Sequence, residues 1–154
     1  MIYFDLITDG IFVGTCPTST IDIQRLKQAG ITAILNMQTE DDFKANGINW
    51  SHLETAYHQT GITSYRCPIK DFDDEEMLSF ISGAAKLLSK IVESHSRIYV
   101  HCTAGQQRSP SAVIAWLAWQ QGHHLEDAIK IVMKARKCNP PLHVLRKADR
   151  LLKK

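Results

Sequence analysis

Ile98-Tyr99-Val100-His101-Cys102-Thr103-Ala104-Gly105-Gln106-Gln107-Arg108-Ser109-Pro110-Ser111-Ala112-Val113-Ile114-Ala115-Trp116 changes character twice. Ile98 to His101 is a short, mostly apolar, β-forming run bounded by a loop, which reads as a buried strand. From Arg108 onward the chain reads as a helix ending near Gln121. A tight loop joins them, opened by Cys102 and closed six residues later by Arg108. Such a loop can turn its backbone N–H groups inward around a tetrahedral anion. The helix N-terminus behind it adds positive potential at the same point.

The pattern on either side of this unit alternates. Phe4–Thr8 and Ile11–Gly14 are runs joined by Asp9-Gly10, a hairpin signal. Ser19 or Thr20 can cap a helix running to Ala29 and stopped by Gly30. Ile31–Asn36 reads as a buried strand, residues 49–60 as a short helix ending at Gly61, and Ile62–Cys67 as a strand stopped by Pro68. A long helix follows from Asp74 to Ser94. Its apolar stripe is Met77, Phe80, Ile81, Ala84, Leu87, Leu88, Ile91 and Val92. Leu125–Arg136 and Leu142–Leu152 finish the chain, separated by Pro140-Pro141. Strands alternating with helices predict an α/β fold, a central mixed, partly parallel sheet flanked by helices. A single domain over 1–154 is expected, with its site at the carboxyl end of a central strand.

Cys102 is the candidate nucleophile. The thiolate is the reactive form of cysteine, and a helix N-terminus with a converging cation favours it. Read alone, Cys102 could equally be a small buried hydrophobe; Gly105 and Arg108 at fixed offsets favour the catalytic role. Arg108 offers a planar fork for two phosphate oxygens, although an arginine there could instead pair with a nearby acid. Gly105 lets the loop turn with no Cβ against the anion. Thr103, Ala104, Gly105, Gln106, Gln107 and Arg108 together form the expected phosphate-binding loop. The side chains of Gln106 and Gln107 could contact phosphate, water or substrate, or face solvent. His101 is expected to support the loop by ring hydrogen bonds to backbone, and could also tune the thiolate. Ser109 can donate its hydroxyl proton toward the sulfur. A leaving-group oxygen needs a proton, and Asp71 is the expected general acid. Asp73 or Asp74 suits a helix cap better. The chemistry implied is cysteine attack on a phosphate ester.

Composition narrows the classes. The chain has 154 residues, 44% of them hydrophobic, and a formal net charge of +2. No pair among Cys16, Cys67, Cys102 and Cys138 has the spacing of a metal knuckle, so no metal or other cofactor is expected. Burial is expected for Cys16, Cys67 and Cys138, and a disulfide between one of them and Cys102 on oxidation is a minor alternative. No membrane-spanning run and no signal-peptide pattern is present, so a cytoplasmic protein and, with no nucleic-acid motif, no nucleic-acid or membrane partner are expected. Nine of the 18 basic residues fall in 130–154, with one acid, Asp149. That end could steer an anionic substrate, but a solvated helix face is favoured. Trp116, Trp119 and Met133 read as core, and His123-His124 as an exposed turn.

These residues resemble the dual-specificity phosphatases of the cysteine-based protein tyrosine phosphatase superfamily, over about residues 4–152. His101-Cys102, five residues, then Arg108-Ser109 carries the resemblance, with Ile11–Thr15 and Gly30–Met37. It implies that superfamily's fold, a phosphocysteine intermediate, no metal, Asp71 at the general-acid position, and a cleft for phosphotyrosine and phosphoserine or phosphothreonine. Within the family the chain is most similar to plant-type glucan phosphatases. Val13–Pro17, Arg66–Asp73 and Lys134–Pro140 carry that likeness. It implies an aromatic sugar-holding surface, for which Phe72 is in place. Ala45, Asn46 and Asn139 stand where aromatics would be expected, and Gln106-Gln107 replaces an aliphatic residue and glycine.

The leading expectation is therefore a dual-specificity phosphatase acting on phosphorylated protein. A phosphorylated glucan, or another non-protein phosphoester, is the alternative substrate. An idle phosphate-binding module is a second alternative, disfavoured because Cys102, Arg108 and Asp71 are all present. A sulfurtransferase or arsenate reductase with a similar loop is a further alternative, for which the chain lacks supporting features such as a resolving cysteine near in sequence. A monomer is expected.

Overall fold

A computed structural model of the chain describes residues 1–153. Its elements are β1 (Phe4–Thr8), β2 (Ile11–Gly14), α1 (Thr20–Gln28), β3 (Ala33–Asn36), α2 (Glu40–Ala45), α3 (Trp50–Thr60), β4 (Thr63–Arg66), α4 (Asp74–Val92), β5 (Ile98–His101), α5 (Arg108–Trp119), α6 (Leu125–Ala135) and α7 (Leu142–Leu152). The strands form one five-stranded sheet in the order β1-β2-β5-β3-β4. β1 and β2 are an antiparallel hairpin, while β2, β5, β3 and β4 run parallel. The strand that feeds the loop is thus central. Among the described residues no helix is long and apolar enough to cross a membrane.

Side chains alternate across a strand, so each face of this sheet is read by every second residue. Phe12, Ile34 and Tyr99 face one layer and pack with Ile23, Leu26, Leu53 and Tyr57 of α1 and α3. Val13, Leu35, Val100, Ala33 and Ile98 face the other, against α4, α5, α6 and α7. Four-residue strands carry both sets because helices cover both faces. α4 buries Met77, Ile81, Ala84, Ala85, Leu88 and Ile91, and each large apolar side chain so buried stabilises by about 1.5–3 kcal/mol. Phe80, predicted on that stripe, lies 50% exposed: it sits at the edge of the buried arc. Met133 is likewise exposed rather than core, whereas Trp116 is buried. Trp119 is half-buried and donates its indole N–H to Asp149.

The caps explain the boundaries. Ser19 accepts from Asp22 N–H at the start of α1, and Asn49 from His52 N–H at the start of α3. Asp73 accepts from Glu76 N–H at the start of α4, which leaves Asp71 outside the helix in the preceding turn. α2 has no counterpart in the sequence reading. It starts in a capping box, where Thr39 and Asp42 satisfy each other's backbone N–H. Its one buried residue is Phe43, which stacks on Trp50 at 5.4 Å. Arg66 of β4 lies over Phe43, donates to Gln38 O at 2.8 Å and pairs with Glu40. α2 is therefore fixed by its neighbours rather than by its own periodicity.

Candidate active site

The loop between β5 and α5 is shaped by where its carbonyls point. Cys102 O accepts from His101 Nδ1 at 3.0 Å. Thr103 O accepts from Cys16 N–H at 3.0 Å, and Gln106 O from Asn139 N–H at 2.9 Å. Arg136 donates through one terminal nitrogen to Ala104 O at 3.2 Å and through Nε to Gly105 O at 2.8 Å. Gln107 O takes Ser111 N–H, as the helix begins, and Ser111 Oγ–H. Every peptide here is trans, so a carbonyl turned outward sends the next N–H to the opposite, concave side. Among the described residues the N–H groups from Thr103 to Gln107 donate to no protein acceptor. The hollow is lined by donors at the N-terminus of α5, the arrangement that binds an anion.

Gly105 makes the turn possible. Its φ is +65°, and a Cβ there would lie 2.6 Å from Gly14 O and 2.7 Å from the Arg136 guanidinium. No other residue fits both the backbone angle and the space.

Cys102 is 3% exposed, with its Sγ 3.2 Å from Ser109 Oγ. His101 is fully buried. The carbonyl facing its Nδ1 can only accept, so that nitrogen carries the proton. Burial, reinforced by the charge of Arg108, pushes the His101 imidazole down to about 4 against the opposing pull of the Cys102 carbonyl. His101 is thus a neutral brace.

Arg108 is 1% exposed and heavily engaged. One terminal nitrogen donates to Asp42 Oδ2 at 2.7 Å, Ile69 O at 2.8 Å and Met37 O at 3.3 Å. The other reaches Asp42 Oδ1 at 3.3 Å, Thr103 Oγ1 at 3.4 Å and Asp71 Oδ2 at 3.2 Å. Among the described residues its Nε–H is buried without a partner, a donor that an incoming oxyanion would satisfy. Burial opposes ionisation of Asp42, but hydrogen bonds from Arg108 and Thr39 and the guanidinium charge hold its carboxyl below the usual range. The alternative weighed for Arg108, pairing with a nearby acid, is thus also present. The acid is Asp42, on the helix that the sequence reading missed.

Asp71 sits in the turn before α4, 30% exposed. That turn is held at Ile69 by Arg108 and at Lys70, whose N–H donates to Glu76 Oε1 at 2.9 Å. Phe72 follows at φ 59°, 81% exposed. A non-glycine residue at positive φ is strained, and here the strain presents an aromatic face to solvent beside the loop. Phe72, Gln107, Asn139, Pro140, Pro141, Asp74 and His143 line a groove of about 360 Å³. His143 and Asp74 pair at its edge at 2.8 Å. Another hollow, about 760 Å³, lies at the opposite end of the strands, around Asp9, Ile11 and Ser94–Ile98. It gathers none of the nucleophilic or acid groups just described.

The structure brings together Cys102, Ser109, Arg108, Asp71 and the loop backbone. It separates the two glutamines: Gln106 Nε2 donates to Lys137 O, away from the hollow, while Gln107 lines the groove. Ala45 and Asn46 end α2, and Asn46 Nδ2 turns back to Asp42 O. All four cysteines are free; Cys16 is buried, but Cys67 and Cys138 are only half-buried, against expectation, because Cys67 follows the edge strand β4 and Cys138 lies in the connection between α6 and α7. The basic C-terminal stretch is mostly exposed, with one correction. Arg136 is 8% exposed and bonded to the loop, not to solvent. Lys154, counted in that stretch, lies outside the described residues. Besides Asp42 and Arg136, sequence reasoning missed Gln38, which is buried and donates to Thr103 Oγ1 at 3.0 Å. The Thr39–Asp42 spacing was the available signal for Asp42.

The family model described as dual specificity phosphatase, catalytic domain, matches residues 11–147. The chain is 32% identical over 137 residues to the chloroplastic phosphoglucan phosphatase LSF1 of Arabidopsis thaliana, covering 89% of this chain and 23% of that one. It is 28% identical to the amyloplastic phosphoglucan phosphatase DSP4 of Castanea sativa, with coverage of 96% and 40%. It is also 28% identical to laforin of Mus musculus, with coverage of 87% and 44%. The chain therefore spans less than half the length of these curated relatives. Among solved structures, PTPMT1 in complex with PI(5)P superposes with a TM-score of 0.77 at 19% identity, covering 98% and 97% of the two chains. Human DUSP28 superposes with a TM-score of 0.73 at 20% identity, covering 98% and 95%.

Proposed function

Because this chain belongs to the dual-specificity phosphatase catalytic-domain family, we propose that it hydrolyses phosphate monoesters through a phosphocysteine intermediate on Cys102. The observation that supports this reading best is the set of outward carbonyls around a buried thiol, which leaves five consecutive N–H groups for one anion. The Cys102 thiolate attacks phosphorus, and the bond to the leaving oxygen breaks. Asp71 gives that oxygen its proton. Arg108, through Nε and the terminal nitrogen that Asp71 vacates, holds the equatorial oxygens where charge gathers. Water then attacks the phosphocysteine and gives its proton to Asp71. The P–S bond breaks, and Ser109 Oγ–H steadies the departing thiolate.

For the substrate, we favour a phosphorylated glucan over the phosphoprotein that the sequence reading placed first. Relatives named as phosphoglucan phosphatases support it. So does the exposed Phe72 ring beside the amides of Gln107 and Asn139, a surface suited to a hydroxyl-rich ring. Phosphotyrosyl and phosphoseryl peptides remain the second reading, supported by a relative named dual specificity protein phosphatase 2. Rates on phosphorylated amylopectin and on a phosphotyrosyl peptide separate the two. Amylopectin is expected to be preferred; a strong preference for the peptide would reverse the order. Loss of all turnover in Cys102→Ser is expected in both.

A further inference from the structure

We infer that Arg136 is a positioning residue for the phosphate loop, acting from behind it on peptide groups rather than on the anion. This inference rests on the anion-binding reading of the loop.

The loop has six outward carbonyls, and they differ in how they are anchored. Cys102 O is held by its neighbour in sequence, His101, and Gln107 O by the first turn of α5. Thr103 O and Gln106 O are each held by a backbone N–H from another segment. The two in the middle, Ala104 O and Gly105 O, are held by the Arg136 side chain. They are the carbonyls farthest along the chain from both β5 and α5. Their peptides carry the N–H groups of Gly105 and Gln106. If those planes rotate, two donors leave the hollow.

Arg136 is built for this task. It stands one residue past α6 in an extended conformation, which sends its side chain back across the sheet edge to the loop. It is 8% exposed, and Asp5 of β1 holds its remaining terminal nitrogen at 3.0 Å. A guanidinium presents its donors in one rigid plane, so two carbonyls are fixed together. A cation bonded to the oxygen end of a peptide also polarises its N–H toward the hollow. Gly105 completes the fit, since a Cβ there would lie 2.7 Å from this guanidinium. The part of the loop with positive φ is therefore the part that Arg136 holds.

The test uses the purified chain and p-nitrophenyl phosphate, with tungstate as competitive inhibitor and thermal melting as the check on folding. Arg136→Ala is expected to raise the tungstate inhibition constant about tenfold or more, the worth of one net hydrogen bond. KM should rise with it while cooperative melting persists. Arg136→Lys, which can reach only one carbonyl, should fall between the variant and the wild type. Lys137→Ala removes an adjacent exposed cation and should change neither constant beyond about twofold, which separates peptide anchoring from bulk charge. A folded Arg136→Ala with wild-type tungstate affinity overturns the inference. So does an equal loss in Lys137→Ala. If Arg136→Ala fails to fold, Arg136→Lys decides, and wild-type constants there overturn it. A wild-type chain that neither turns over nor binds tungstate defeats the phosphatase reading itself, a different failure.

Discussion

Arg108 and Asp42 face each other fork to fork, the guanidinium donating to both carboxylate oxygens at 2.7 and 3.3 Å. The contact joins the end of the loop to a six-residue helix that has a single buried apolar side chain. It fixes the guanidinium plane, so that Nε–H is left without a partner and the second terminal nitrogen is shared with Asp71. The guanidinium that closes the loop is aimed by a residue from another part of the chain.

Asp42→Ala should therefore misaim Arg108 without touching the thiol. A 1 Å misplacement can cost about a hundredfold, and kcat/KM on p-nitrophenyl phosphate is expected to fall by about ten- to a hundredfold. Asp42→Asn keeps one acceptor and should lose less. Steady-state kinetics decide it, and wild-type kcat/KM in Asp42→Ala would show that Arg108 needs no such partner.

Asp71 shares a terminal nitrogen of Arg108 with Asp42, so its removal has two opposite effects. Asp71→Ala frees a terminal nitrogen and should tighten tungstate binding. It also removes the proposed proton donor, and turnover should fall about 10²–10⁴-fold, most for poor leaving groups. Comparing aryl phosphates of graded leaving-group pKa checks both. Equal loss across the series would point to structural damage instead.

Gly105→Ala meets Gly14 O, the Arg136 guanidinium and a φ of +65° at once. Strain of this kind costs about 1–3 kcal/mol. Melting temperature and tungstate affinity should both drop, while Gly47→Ala, at a φ of +63° with nothing near its Cβ, should lower only stability. A Gly105→Ala chain with normal tungstate affinity would mean the loop does not need this turn.

Acid should unfold the site before the bulk carboxylates titrate. His101 titrates at about 4 in the fold against an ordinary 6.5, so between those values the unfolded chain holds the extra proton. Stability is full above about pH 6.5 and lost as pH falls toward about 4, by about 3 kcal/mol in total at 1.36 kcal/mol per unit. Asp42, held below its ordinary value, loses its contribution only at lower pH. Urea unfolding at about pH 7.5 and about pH 5 measures the slope, and His101→Asn should flatten it. An unchanged slope in that variant would remove His101 as its source.

How far the sequence carried the structure depends on the element. Strong periodicity made α4 legible, Gly61 marked the end of α3 and the loop marked the start of α5, each helix to within two residues at either end, and Cys102, Gly105 and Arg108 announced the loop by spacing alone. α2 has too little apolar content for a periodicity signal; tertiary contacts from Arg66, Trp50 and Arg108 hold it. Arg136 was misread for a related reason. A basic residue among other basic residues looks solvated, and only the fold reveals two backbone carbonyls waiting for it.

The most direct measurement is a crystal structure of the chain with tungstate. The anion is expected above Cys102 Sγ, within hydrogen-bond reach of the N–H groups from Thr103 to Arg108 and of Arg108 Nε, with Asp71 displaced from the guanidinium. An anion bound elsewhere, with the hollow left unoccupied and the Arg108–Asp71 contact intact, would contradict the account.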